Sequence, residues 1–169
     1  MRKLLDTLYL GTACLAGLFM IGTLAMILAG ILGRLLDFNI RGTDSYAGFC
    51  IVAALFLASA HTLKRGEHIR VTLLLQHVGA RVGRGMEILS HVVGVVVCSV
   101  VAWFSISLAR QSYLFNDVSQ GMDGTPLWIP QLSMALGAIV LAIAMVDDLA
   151  ILLAGRPLER PDQELARIE

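Results

Sequence analysis

Four long stretches without a formal charge divide the chain. Leu8 to Gly33 gives 26 residues, Ser45 to Leu63 gives 19, Ile88 to Ala109 gives 22 and Leu127 to Val146 gives 20. About 20 apolar residues are enough to cross the roughly 30 Å hydrocarbon core of a bilayer as a helix, so each stretch qualifies as a span. Lipid offers no partner for a free backbone N–H or C=O, which favours helices, and no ten-residue alternating pattern argues for a barrel. The pattern therefore predicts a single integral membrane domain, an all-α membrane protein with four transmembrane helices at about 8–33, 45–63, 88–109 and 127–146, and a short tail over 155–169. The first helix would be about 39 Å long at 1.5 Å per residue, so it should tilt or protrude. Its apolar core exceeds the 7–15 residues of a signal peptide's h-region, and it reads as a retained span.

Between the second and third stretches lies "KRGEHIRVTLLLQHVGARVGRG", Lys64 to Gly85, with five of the thirteen cations of the chain. Val71, Leu74, Leu75, Val78, Val82 and Met86 fall at i, i+3, i+4, i+7, i+11 and i+15, one face of a helix. Arg70, His77, Arg81 and Arg84 lie largely around the other face. That arrangement predicts an amphipathic in-plane helix over about 68–84, apolar side in the acyl boundary and arginines among lipid phosphates. Gly66, Gly79, Gly83 and Gly85 lower its helix propensity, and an irregular basic loop is the alternative.

The fourth span opens with "DGTPLWIPQ". Asp123 or Thr125 suits an N-cap and Pro130 the first helical position, where a missing N–H is harmless. Asp147 and Asp148 close the span. They read as a solvated helix end, or as partners for the basic loop or another subunit.

Composition agrees: 57% of residues are hydrophobic and 15% charged, against roughly 45–50% and 25% in soluble domains. The net charge of zero excludes a strong pull on nucleic acid but hides an uneven distribution. Arg2, Lys3, Lys64, Arg65, Arg70, Arg81, Arg84, Arg156, Arg160 and Arg167 fall on one side, ten cations in all; Arg34, Arg41 and Arg110 fall on the other. The positive-inside rule then places both termini in the cytoplasm. Trp128 and Tyr113 flank the external surface and Tyr9 lies near the inner one.

No Asp, Glu, Lys or Arg interrupts any of the four stretches, whereas ion- and proton-moving carriers keep ionisable or broken-helix sites at mid-membrane. Small residues recur instead, at Gly11, Gly17, Gly22, Gly30 and Gly33 in the first span and at Gly94 and Ser99 in the third; such positions let helices approach closely. His61 ends the second span and His91 begins the third, a pairing that would suit a bis-histidine haem, so a four-helix membrane cytochrome is the alternative function. His68 and His77 lack zinc spacing. Cys14, Cys50 and Cys98 are scattered through apolar runs and form neither a disulfide framework nor a C-x-x-C pair. There is no G-x-S-x-G and no Walker loop, and Glu67–His68 lacks an accompanying nucleophile. The chain reads as neither an enzyme nor a cofactor carrier.

Three segments carry a family resemblance: "ILGRLLDFN" leaving the first span, "FLASAHTLKRGEHIRVTLLL" leaving the second, and "GTPLWIPQLSMALGAIVLAI" entering the fourth. In this order they resemble the DctQ-like small permease subunit of tripartite ATP-independent periplasmic (TRAP) transporters, most specifically in Gly66 to Val71 and Thr125 to Pro130. The sequence departs from the family where a Trp and paired Glu often precede the second span: "GTDSYAG" stands there, so Asp44 is left to pair with Arg34. Thr72 stands where Asp often follows I-R-V.

The resemblance implies a non-catalytic scaffold in the bacterial inner membrane, partnered by a large permease subunit that holds the substrate and sodium sites. A periplasmic binding protein would deliver an organic anion, a carboxylate or sulfonate. Arg70, Arg81 and Arg84 would contact phospholipid or the large subunit, and Glu67 and His68 would shape the turn into the in-plane helix. Arg34, Asp44, Asp117 and Asp123 would offer a docking surface to the binding protein, with plain solvated loop charge as the alternative.

Overall fold

The structure is a computed structural model that describes residues 2–38, 41–65, 80–121 and 123–154. Its helices are α1 (Arg2–Leu35), α2 (Thr43–Arg65), α3 (Ala80–Leu114) and α4 (Trp128–Leu153). All four are long and apolar enough to cross a membrane. No strand occurs among the described residues, only an isolated antiparallel bridge between Val118 and Pro126.

Each helix outruns its charge-free stretch at one end or both. Continuing the helix through the polar flanks, even across Gly83 and Gly85 of α3, keeps the backbone hydrogen-bonded as it leaves the apolar zone. With 34 and 35 residues, α1 and α3 are about 51 and 53 Å long, so both must tilt or stand clear of the hydrocarbon. This corrects the C-terminal part of the expected in-plane helix. Residues 80–84 are the first turns of α3, continuous with the third span and not a separate flat element. The rest of that segment, 66–79, lies outside the described residues.

The helices pack as a row. The main contacts are α1 with α2, α2 with α4, and α4 with α3, so the spatial order is α1–α2–α4–α3. The end where α1 begins is termed proximal here, and the end carrying the α1–α2 and α3–α4 turns distal.

Small side chains fill the seams: Ala53, Ala54 and Ala60 of α2, Ala102, Ser105, Ala109 and Ser112 of α3, and Ala135, Ala138 and Ala144 of α4 are all buried. The closest approach is at Gly137 of α4, where an added Cβ would lie 2.5 Å from the carbonyl carbon of Phe56 in α2. On α1 the buried positions Tyr9, Ala16 and Thr23 recur every seven residues, the repeat of a left-handed helix pair. Within the row, the glycines of α1 divide into two groups. Gly22 approaches Cys50 Sγ and Gly30 approaches Thr43, but Gly11 and Gly17 face open space.

Both distal helix ends are closed by the backbone. Asp37 and Asn116 take the left-handed conformation, φ 53° and 54°, while Phe38 N–H donates to Gly33 O at 2.8 Å and Asp117 N–H to Ser112 O at 3.0 Å. These are Schellman closures with non-glycine C′ residues. The start of α4 corrects the expected cap. Trp128 is the first helical residue, Leu127 occupies the cap without a side-chain bond, and Pro130 is third. Asp123 and Thr125 are engaged in the preceding hairpin, where Ser119 N–H donates to Thr125 O and Leu127 N–H to Asp117 O. Pro130 still lies in the first turn, where its missing N–H leaves no bond unmade.

Candidate functional site

At the proximal end, Lys64 in the last turn of α2 reaches across to α4. Its Nζ bonds Asp147 Oδ2 and lies 2.8 Å from Asp148 Oδ1. The ammonium also sits 5.3 Å from the centre of the Tyr9 ring of α1, within cation–π range. One side chain thus ties three helices, above an apolar layer of Tyr9, Ala60, Leu63, Val140 and Ala144. Of the two readings of Asp147 and Asp148, solvated end or ion pair, the structure supports the second: Asp148 is only 3% exposed. Lys64, counted in the sequence only as loop charge, is the residue at the centre of this cluster that the sequence pattern did not single out. Its signal was present, since the second and fourth spans both end at this face.

Arg84 is exposed, and its guanidinium donates to Leu152 O at 3.5 Å. It therefore covers a C-terminal carbonyl of α4, a favourable place for a cation. Arg81 lies in the first turns of α3. Arg70, Glu67 and His68 lie outside the described residues.

The two histidines of the cytochrome alternative are on α2 and α3, with α4 standing between those helices. The buried His91 has its Nδ1 2.9 Å from Glu87 O of its own helix. Among the described residues no three His, Cys, Asp or Glu side chains gather as metal ligands.

At the distal end, Arg34 closes α1 and Asp44 opens α2. Their side chains meet at 3.4 Å, 78% and 87% exposed, so Asp44 does take up the arginine leaving the first span. A pair so exposed contributes about 0–1 kcal/mol. It rims a recess of about 500 Å³ that Gly33, Asp37, Phe38, Arg41 and Thr43 also line.

Asp123 reaches the same corner from the α3–α4 loop. Gly42, at φ 82°, leaves room for it: an added Cβ there would lie 2.7 Å from Asp123 Cβ. Ser119 Oγ donates to Asp123 Oδ1 at 3.1 Å, Thr125 N–H approaches Oδ2 at 3.4 Å, and Thr125 Oγ1 donates to Tyr46 OH at 3.1 Å. The structure therefore brings Arg34, Asp44 and Asp123 to one corner. The side chain of Asp117 is exposed on the hairpin, whose backbone it pairs with Leu127. Gly42, Tyr46 and Ser119 join this corner without having been singled out in the sequence, where nothing relates the two loops.

Hydrogen bonding by Thr125, then by its own backbone and by Ser45 and Ser119, outweighs desolvation and holds the Asp123 carboxyl at about 2, below the ordinary 3.8. A folded value below the unfolded one means that the ionised carboxylate favours the ordered hairpin. This contribution is complete above about pH 4 and is lost as the pH falls toward 2. Asp123→Asn should remove that acid-side loss, measured as the difference in proteolysis of the hairpin between pH 5 and pH 2.5; an unchanged difference would reject the assignment.

A row of four spanning helices, with its ionisable groups gathered at the two ends, defines a small multi-pass helical membrane protein. Residues 23–155 match the family described as tripartite ATP-independent periplasmic transporters, DctQ component, and the chain belongs to that family. It is a small membrane subunit of a TRAP transporter, in a family that works with a large permease and a substrate-binding protein. The family is a transporter component, generally non-catalytic. No curated protein matches the chain.

Proposed function

We propose that the chain is the immobile scaffold of a TRAP importer driven by a sodium gradient, in the bacterial inner membrane, with an organic anion, a carboxylate or sulfonate, as cargo. The observation that carries this is the charge-free interior of all four spans, which offers no ion or substrate site of its own. The open row supports it, because helices side by side present two broad apolar faces for widening a partner's membrane footprint. In this reading the proximal end is cytoplasmic, following the ten-to-three cation bias. Arg70 and Arg81 hold phospholipid headgroups or acids of the large subunit, with Glu67 and His68 at the turn before them. Arg84 adds to this the covering of the α4 end. Both kinds of anchoring resist drag when the carrier slides.

The distal corner is then periplasmic, and Arg34, Asp44, Asp117 and Asp123 form the docking surface for the binding protein. Arg34→Glu is the cleaner probe, since Asp123 is committed to its own hairpin. It should lower uptake several-fold while the small and large subunits still co-purify at wild-type yield. Unchanged uptake kinetics would reject docking at this corner. The cytochrome alternative has no observation in its favour, and a purified sample with a Soret band would revive it.

A further inference from the structure

Trp103 is in an unusual place for a tryptophan. Trp128 sits at the distal end of the row, edge-to-face with Tyr113 at 5.7 Å, as aromatic residues do at a membrane interface. Trp103 lies ten residues inward of Tyr113 on α3, about 15 Å along the helix and so near the middle of a hydrocarbon core of about 30 Å. It is 70% exposed, and its indole N–H has no partner among the described residues. Ser99, four residues earlier on the same face, is also exposed and unpaired. Thr23, Ser59, Ser105 and Ser133 instead return to a carbonyl of their own helix, at Phe19, Leu55, Val101 and Pro130, whereas Ser90 and Ser107 of α3 share the unpaired state of Ser99 but do not line the groove described next.

Both groups line a groove of about 400 Å³ between α3 and α4, floored by Ala102 and Ala142 and walled by Ile106, Ile139 and Ile143. Small floor residues admit a helix ridge closely. An acyl chain would fill the space but supplies no acceptor, leaving the donors unsatisfied in hydrocarbon. A second copy related by a two-fold axis along the membrane normal keeps each residue at its own depth. Trp103 would then face its twin, donor against donor, with Ser99 about 6 Å away in depth.

We propose that this groove seats a transmembrane helix of the large permease subunit that presents a hydrogen-bond acceptor to Trp103 and Ser99. The proposal rests on the scaffold reading and names the face that meets the partner.

The test places the photoreactive residue p-benzoylphenylalanine at position 103 of the full small–large complex in membranes. Irradiation should give a covalent adduct with the large subunit that maps to a membrane-spanning peptide. An adduct between two small subunits, or lipid adducts alone, in a complex that still co-purifies would overturn the proposal. Failure of the unmodified chains to co-purify would instead sink the scaffold reading beneath it. As a second arm, Ser99→Phe fills the groove from its exposed side. It should cut recovery of the large subunit at least tenfold at an unchanged membrane level of the small one, and undiminished recovery would also overturn the proposal.

Discussion

Lys64→Met lowers the thermal stability of the purified protein more than neutralising any distal charge. The substitution keeps most of the side-chain length but removes the cation that holds Asp147 and Asp148. Breaking a buried pair by deleting one partner costs several kcal/mol, because the remaining charge stays desolvated. Asp148 is 4% exposed at its side chain, but Lys64 and Asp147 keep 22% and 28%. The expected loss is therefore near the lower end, about 3 kcal/mol. Arg34→Gln, which breaks the exposed distal pair, changes stability by less than about 1 kcal/mol. Thermal unfolding in detergent compares the two. A double-mutant cycle between Lys64→Met and Asp148→Asn should show coupling above about 1 kcal/mol. Equal, small effects at both ends of the row would show that the proximal pair does not hold the helices together.

Gly137→Leu separates α2 from α4 and has the second large effect. Even a methyl group at this position meets the backbone of Phe56, at 2.5 Å from its carbonyl carbon and 2.6 Å from its oxygen. Backbone cannot step aside as a flexible side chain can. Overpacking of this kind typically costs about 1–3 kcal/mol, and a leucine should reach or exceed the upper figure. Because α4 is also the helix that holds α3, the row should divide there, and the yield of monodisperse protein should fall. Gly48→Ala is the control. An added Cβ at Gly48 meets nothing within 4 Å, so Ala there should be neutral or stabilising by up to about 1 kcal/mol through helix propensity alone. A Gly137→Leu protein as stable as Gly48→Ala would contradict the close approach.

The spans were legible because burial in lipid imposes a single requirement, an apolar stretch of sufficient length, and the four stretches meet it without interruption. Their lateral order was not. Hydropathy marks Gly137 and Gly11 alike as small residues in a span, although one lies against a neighbouring backbone and the other faces open space. Where charge entered, more was readable. The pairing of Arg34 with Asp44 was readable because Asp44 is the one acid in the GTDSYAG segment that opens the second span, and the ion-pair reading of Asp147 and Asp148 required only a lysine at the same face. The distal corner was hidden for a different reason. Gly42 and Tyr46 come from the α1–α2 turn and the first turn of α2, and Ser119, Asp123 and Thr125 from the α3–α4 loop about eighty residues later, and local pattern does not connect them. The helical extension at 80–84 was masked by the same apolar stripe that suggested a flat helix, because a helix standing along the membrane normal and one lying in its plane share one periodicity.

We propose that this subunit braces a moving partner and carries nothing itself. This is tested most directly in proteoliposomes under an inward sodium gradient, by uptake of the anion that the cognate binding protein captures. Vesicles with both membrane subunits and the binding protein should accumulate the anion, those lacking the small subunit should lose most of that uptake, and the small subunit alone should give none. Transport by the small subunit alone, or full transport without it, would contradict the account.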